Sequence, residues 1–260
     1  MKALSTASTG MLAQQRNIEV ISNNIANMNT TSFKKSRAEF QDLLYQNIER
    51  VGSNSSTDTV VPSGVQIGVG VRTAGIYRIS DQGALQSTGN EFDLAINGKG
   101  FFEVQTPDGN QAFTRAGSFQ VDNQGRVVTT EGYIVQPVIN IPNNAIDVSI
   151  NEQGTVYTKI AGQVQPNQVG QLQLTRFANE AGLESVGGSL MVETQASGAP
   201  LPGNPTEDGV GAILQGFLEN SNVNAVGEIT DMISAQRAYE LNSKVIRTAD
   251  EMLSSANNMR

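Results

Sequence analysis

Acidic side chains are the first residues in this chain whose types could do chemistry. Asp81, Glu91 and Asp93 fall within a short stretch, and two carboxylates flanking a glycosidic bond can divide acid and base work between them. The same spacing describes solvated strand residues, and that is the role assigned to them. Asp122-Asn123-Gln124-Gly125 is rich in oxygen ligands but lacks the spacing and terminal bidentate glutamate of an EF-hand. A hairpin turn is expected there. Gly68-Val69-Gly70 and Gly98-Lys99-Gly100 lack the third glycine and the strand-to-helix context of a phosphate-binding loop, so they read as turns. The chain has no cysteine and no histidine. Ser-His and Cys-His nucleophiles are therefore excluded, as are zinc sites of the Cys/His type. No catalytic, cofactor-binding or metal-ligating residue is assigned; the chain reads as a non-enzyme that needs no cofactor.

Amides are the other polar groups that stand out. Asn23, Asn24 and Asn27 crowd the end of an apolar periodic stretch. An amide donates and accepts at once. These three are either helix-end residues or side-chain ladders between identical subunits.

The elements that must carry these residues lie at the two ends of the chain. Leu4, Met11, Ile18 and Ile25 recur every seven residues, with Ala7, Ile21 and Met28 three places behind and Gln14 polar. A first helix is expected from Leu4 to Asn27. At the other end, Ser221 to Arg260 reads as one long amphipathic helix. Met232, Tyr239, Ile246 and Leu253 form its heptad row, followed by Ala235, Asn242, Ala249 and Ala256. Ala238, Val245 and Met252 widen the stripe. Seven-residue recurrence of this kind is a coiled-coil seam, and its alanine row lets a partner helix come close. The expected assembly interface is Leu4, Met11, Ile18, Ile21 and Ile25, with Asn23, Asn24 and Asn27, facing Met232, Tyr239, Ile246 and Leu253.

Between the helices the pattern changes. Residues 46–70 are polar and then alternate, which suits an extended arm. From Val71 to Glu219 short Val-, Ile-, Phe- and Thr-rich runs alternate with turn clusters. With no long helix between them the strands should be largely antiparallel. Ser197 to Gly211 reads as an exposed loop. The fold class is thus α+β: paired terminal helices and a central, mostly antiparallel β domain. The expected divisions are 1–30 plus 221–260 for the helical polymerisation domain, 31–70 for the connecting arm and 71–220 for the β domain.

Charge narrows the partners. The chain carries −8 overall, yet residues 1–40 carry +3 and 223–260 carry −1, which leaves −10 in the middle. An acidic body argues against nucleic acid. No apolar run is long enough to span a membrane, so no membrane insertion is expected. The first residues lack the continuous apolar core of a secretory signal.

Three separated motifs resemble one family. Ile21-Ser-Asn-Asn-Ile-Ala-Asn-Met-Asn-Thr-Thr-Ser-Phe-Lys-Lys is similar to the N-terminal signature of bacterial flagellar axial proteins, with Ser32 where glycine is commoner and little consequence expected. Asp93-Leu-Ala-Ile-Asn-Gly-Lys-Gly-Phe-Phe resembles their central rod and hook segment. Ser221-Asn-Val-Asn-Ala-Val and Gln236-Arg-Ala-Tyr-Glu-Leu-Asn-Ser-Lys resemble their C-terminal signature. Glu39-Phe-Gln-Asp-Leu-Leu-Tyr-Gln and Pro62-Ser-Gly-Val-Gln-Ile-Gly-Val-Gly-Val point to the distal-rod members; a proximal rod or hook subunit is the nearer alternative, and a secreted β-rich binding protein the farther. The resemblance implies an inner helical domain and an outer β domain. It also implies export through the flagellar type III apparatus without a cleaved signal, and self-polymerisation into a hollow drive shaft. The implied neighbours are proximal-rod and hook-side axial proteins, with ring proteins around them.

Overall fold

The computed structural model describes residues 2–49, 54–56, 59–60, 64–163 and 165–258. The chain divides into two compact units.

The first unit holds both terminal helices, α1 (Lys2–Ala26) and α2 (Ala225–Asn258). α2 begins where Asn224 turns its side-chain oxygen back onto the backbone N–H groups of Val226 and Gly227, which satisfies donors that a helix start leaves free. The pair packs through its smallest side chains. Along α2 the buried positions are Glu228, Ala235 and Ala249, with Asn242 half-buried between them. These are spaced by sevens. On α1 the buried residues are Ala7, Ala13, Val20, Ile21 and Asn24. A Cβ on Gly10 would stand only 3.0 Å from Asn242 Nδ2, so a larger residue there would require the Asn242 side chain to shift.

That closeness moves the expected seam. Leu4, Met11, Ile18, Ile25, Met232 and Ile246 are half-buried rather than central. Tyr239 and Leu253 are 40% and 42% exposed. Small residues supply most of the buried line, with Val20 and Ile21 the larger side chains inside it, and the other large heptad members stand at its flanks.

The same unit contains a long antiparallel hairpin. Ser36–Asp42 pairs with Val71–Arg78, Tyr45–Glu49 with Val65–Gly68, and Asn54–Ser56 with Thr59–Val60. This redraws the expected boundaries. Residues 71–78 belong with the helices, because their register is fixed against 36–42, while Asn27–Lys35 belongs to the β unit. α1 contacts both outer strands of the hairpin, and Val71 donates its N–H to Thr9 Oγ1.

The second unit comprises Asn27–Lys35 and Ile79–Val223. Its main sheet runs Phe119–Val121, Val127–Thr129, Ile134–Gln136, Phe101–Gln105, Gln111–Thr114, Leu190–Val192, Glu184–Gly187, with Leu174–Arg176 and Leu201–Gly203 branching from it. All pairings are antiparallel. Gly109 and Gly125, with φ of +82° and +81°, form the two tight turns read from the sequence. Phe102 packs edge-to-face on Phe119 at 5.0 Å between centroids, within a core that includes Leu94, Ile96, Val104 and Ile213. Phe101, Phe113, Phe177 and Met191 form a second, smaller cluster. The stretch 197–211 is not simply an exposed loop: Leu201–Gly203 pairs with Leu174–Arg176, and Ser197 and Val210 are buried. Pro202 is tolerated because this strand is an edge, where a missing N–H leaves no ladder bond unmade.

The helix contact makes a measurable prediction. Ala235→Leu overfills the closest part of the seam and should lower stability by about 1–3 kcal/mol. Val226→Leu, on the exposed side of α2, should be neutral. Urea titration followed by helical circular dichroism compares them, and equal midpoints would show that the helices are not in close contact.

Candidate functional site

In the helical unit the last turn of α1 is fastened by one amide. Asn24 is 2% exposed. Its Nδ2 donates to Ser36 O at 2.9 Å and to Glu228 Oε2 at 3.0 Å. Its Oδ1 accepts from Ser36 N at 2.9 Å. One side chain thus joins α1, the first turn of α2 and the start of the hairpin. The bond to a buried carboxylate is the stronger, charge-assisted kind, and Glu228 sits where the helix dipole favours negative charge. Asn24 thus spends both of its amide N–H groups and one acceptor position within its own chain. Asn27 accepts the Thr30 hydroxyl and backbone N–H and closes the turn after the helix. Asn23 is exposed.

α2 also presents apolar residues that its partner helix does not cover. Val226, Ile229 and Ile233 follow helical spacing on one flank, and Leu241, Val245 and Met252 lie on another; all are exposed. On the hairpin, Leu44 is 87% exposed, and Tyr45, Ile48 and Ile67 are exposed as well.

The β unit holds a group that the sequence did not disclose. Glu219, at 1% exposure, accepts from Lys34 Nζ and from Arg115 Nε at 2.6 Å. It takes a third bond from the Gly83 N–H at 2.8 Å. Lys34 also donates to Asp81 O, and Arg115 donates to the carbonyls of Gly98 and Gly100. All three charges are buried. Burial pushes the Lys34 ammonium below the ordinary lysine value, while its hydrogen bond to Glu219 and that carboxylate's charge push the other way. The only hint in the sequence is a charge closing an otherwise apolar strand, Phe217-Leu218-Glu219. Such a position reads equally well as a solvated strand end.

The residues that suggested chemistry are occupied structurally. Asp93 is buried and accepts from Asn90. Asp81 and Glu91 are exposed and are used through their carbonyl oxygens. Asp122 accepts from the N–H groups of Gln124 and Arg126 and from the Arg126 guanidinium, so its carboxylate closes a hairpin turn. Those bonds hold it below the usual aspartate range against the opposing effect of desolvation. Among the described residues no cluster of acidic side chains could hold a metal ion, and no helix is long and apolar enough to cross a membrane.

Comparison with known proteins finds three family models along the chain. Residues 4–34 match "Flagella basal body rod protein", 95–158 match "Flagellar hook protein FlgE/F/G D1 domain", and 214–259 match "Flagellar basal body rod FlgEFG protein C-terminal". The flagellar basal-body rod protein FlgG of Caulobacter vibrioides is 56% identical over 261 residues, covering 100% of both chains. Its counterparts in Borreliella burgdorferi and Bacillus subtilis are 47% and 40% identical, each over 100% of this chain and 99% of the relative.

Ser32 is consequential where little was expected. It has φ +57°, a left-handed conformation that favours glycine. Its hydroxyl donates to Arg115 O at 2.8 Å and its N–H to Glu219 O at 2.8 Å. Ser32→Ala keeps the backbone strain and drops the hydroxyl bond, and should cost the β unit about 1–3 kcal/mol. Ser32→Gly drops the same bond but relieves roughly 1 kcal/mol of strain, and should fall between alanine and wild type. Guanidinium titration gives the order; a glycine variant weaker than the alanine variant would contradict this account.

Proposed function

The chain belongs to the FlgG family of flagellar basal-body rod proteins, structural subunits of the distal rod, and from that premise we propose how it builds the shaft. The subunits polymerise into a hollow helix that carries torque from motor to hook. Self-assembly beside neighbouring rod proteins follows from the family. Contacts with hook-side axial proteins and surrounding ring proteins are part of the same proposal. So are passage through the export apparatus without a cleaved signal, a periplasm-spanning position and the lack of any enzymatic step.

The observation that carries this reading is α2. It is an unbroken helix of 34 residues with one buried line of small side chains and apolar residues exposed on both sides of it. A lone surface helix hides one apolar stripe, and further stripes call for further partners. Copies of the same chain supply them. In this proposal Val226, Ile229, Ile233, Leu241, Val245 and Met252 join the half-exposed flank residues Leu4, Met11, Ile18, Ile25, Met232, Tyr239, Ile246 and Leu253. Asn23 and Asn27 extend the surface at the end of α1. Ile21 and Asn24 support it from within, since both are buried in their own chain.

The hairpin adds a second contact. Its exposed Leu44, Tyr45, Ile48 and Ile67 lie against adjacent copies and resist bending, as a straight shaft requires. Within its polar tip, Gly52, Ser53, Thr57 and Asp58 lie outside the described residues.

Two experiments test the proposal. Ile233→Asp and Val245→Asp place a charge on faces that are exposed in the single chain, so the circular dichroism of the soluble protein should stay as in wild type. Burying that charge in a polymer is costly, so sedimentation should find no polymer; polymer at the wild-type yield from both variants would remove these faces from the interface. Deleting 52–58 should leave folding and polymerisation intact but make the polymer curve. Electron microscopy measures curvature, and equal straightness would make the hairpin tip a passive linker.

A further inference from the structure

Two stretches of the β unit adjoin the terminal helices in sequence: 27–35, which follows α1, and 217–223, which leads into α2; these are its two crossings. The first belongs to no strand; in the second, Phe217–Glu219 pairs antiparallel with Leu85–Ser87. What joins the two to each other and to the main sheet is polar. The N–H of Ser32 donates to Glu219 O, and that of Asn222 to Phe33 O. Asn222 accepts from Lys35 N at 2.8 Å and donates to the carbonyls of Ile79 and Asp81. Lys34 on the first crossing and Arg115 at the end of Gln111–Thr114 converge on Glu219 of the second. The fit is tight around that carboxylate: a Cβ on Gly83, whose N–H bonds it, would stand 1.9 Å from Asn220 O.

We propose that Glu219 is a lock that fixes the first crossing, the second crossing and the main sheet to one another, so that the two crossings move with the sheet as one body. The chemistry supports a lock more than a source of stability. A buried ion group contributes little net free energy over well-packed apolar side chains. It does demand specific geometry, because a shifted strand strands a charge. Here Glu219 is bonded by three donors from three different segments, and displacement of any one of them leaves a buried cation or a buried N–H unmatched. Arg115 ties the same carboxylate to the turn at Gly98 and Gly100, and its own carbonyl receives the Ser32 hydroxyl. The network therefore closes on itself. In the rod reading, load reaching the unit along either crossing is passed to the sheet rather than absorbed by a loose joint. That mechanical use rests on the proposed function; the lock itself does not.

Hydrogen exchange on the full chain in dilute solution tests the lock. Glu219→Gln keeps the shape of the side chain but leaves Lys34 and Arg115 without their counter-charge. Amides in 27–35 and 217–223 should then exchange on the order of ten-fold faster, with those of Phe101–Gln105 and Ile134–Gln136 unchanged, as for a local opening. Unchanged rates everywhere would overturn the proposal. If instead the whole β unit accelerates, Lys34→Met/Glu219→Gln, with one cation fewer, decides by the same comparison. Selective loosening of the crossings sustains the lock, and uniform rates in either direction overturn it. Cells carrying Glu219→Gln separate the mechanical use. Swimming that fails only in viscous medium supports it, and wild-type swimming under load despite loosened crossings removes it while leaving the lock in place.

Discussion

Two helices can approach only as closely as their side chains permit, and in this chain that limit is set by Ala7, Gly10, Ala235 and Ala249. Much of the helical unit follows from it. Because small residues make up most of the contact line, the larger heptad members other than Ile21 stand along its edges. Because they stand at the edges, each helix keeps apolar surface that one partner does not consume. A seam built from leucine at every heptad position would hold the pair farther apart and bury its own large side chains. The small-residue line thus gives up burial within one chain and leaves apolar surface facing outward.

Polar fasteners take over where apolar packing is thin. The chain has no tryptophan and few aromatics, and the stretch 27–35 between α1 and the hairpin belongs to no strand. At the end of α1, Asn24 replaces a hydrophobic plug with three hydrogen bonds that join helix, helix and hairpin. In the β unit Asn222 and Glu219 do the same for the crossings. Amides and carboxylates suit the task because each can satisfy several backbone groups at once, and a misplaced neighbour leaves one of them unmet.

Periodicity made the helices legible in the sequence, and turn residues made the hairpins legible. α1 falls where the heptads place it, α2 begins at Ala225 rather than at the expected Ser221, with 221–223 in the β unit, and Phe101–Gln105 with Gln111–Thr114 flanks the expected Gly109 turn. What the heptad pattern could not give was which row faces inward. Leu4, Met11 and Ile18 carry the stronger apolar signal, while Ala7, Ala13 and Ala235 win the interior because distance, rather than hydrophobicity, decides a close helix contact. The partition of 71–78 was hidden for a similar reason. Alternation says that this stretch is a strand, but only its pairing with 36–42 says which unit owns it. Lys34, Arg115 and Glu219 are far apart in sequence, and a charge on a strand looks the same whether it meets water or two cations. Ser32 was visible as an exception to its motif, yet its role depends on a backbone angle and a carbonyl 83 residues away.

The two units therefore differ in how complete they are. The β unit encloses large side chains such as Phe102, Phe113 and Phe119 almost entirely, and at about 25 cal/mol per Å² of apolar surface these supply most of the free energy available from burial. The helical unit encloses chiefly alanines, with Val20 and Ile21 its larger buried side chains, while Val226, Leu241 and Met252 remain in water. A helix pair with so little buried area has scant reserve against the conformational entropy of its residues. The surface it lacks is the surface it exposes, so in the proposed polymer neighbours covering those flanks would both hold the polymer together and complete the packing of each helix. In the proposed polymer, assembly and the final consolidation of α1 and α2 would draw on the same burial, whereas the core of the β unit is closed within one chain.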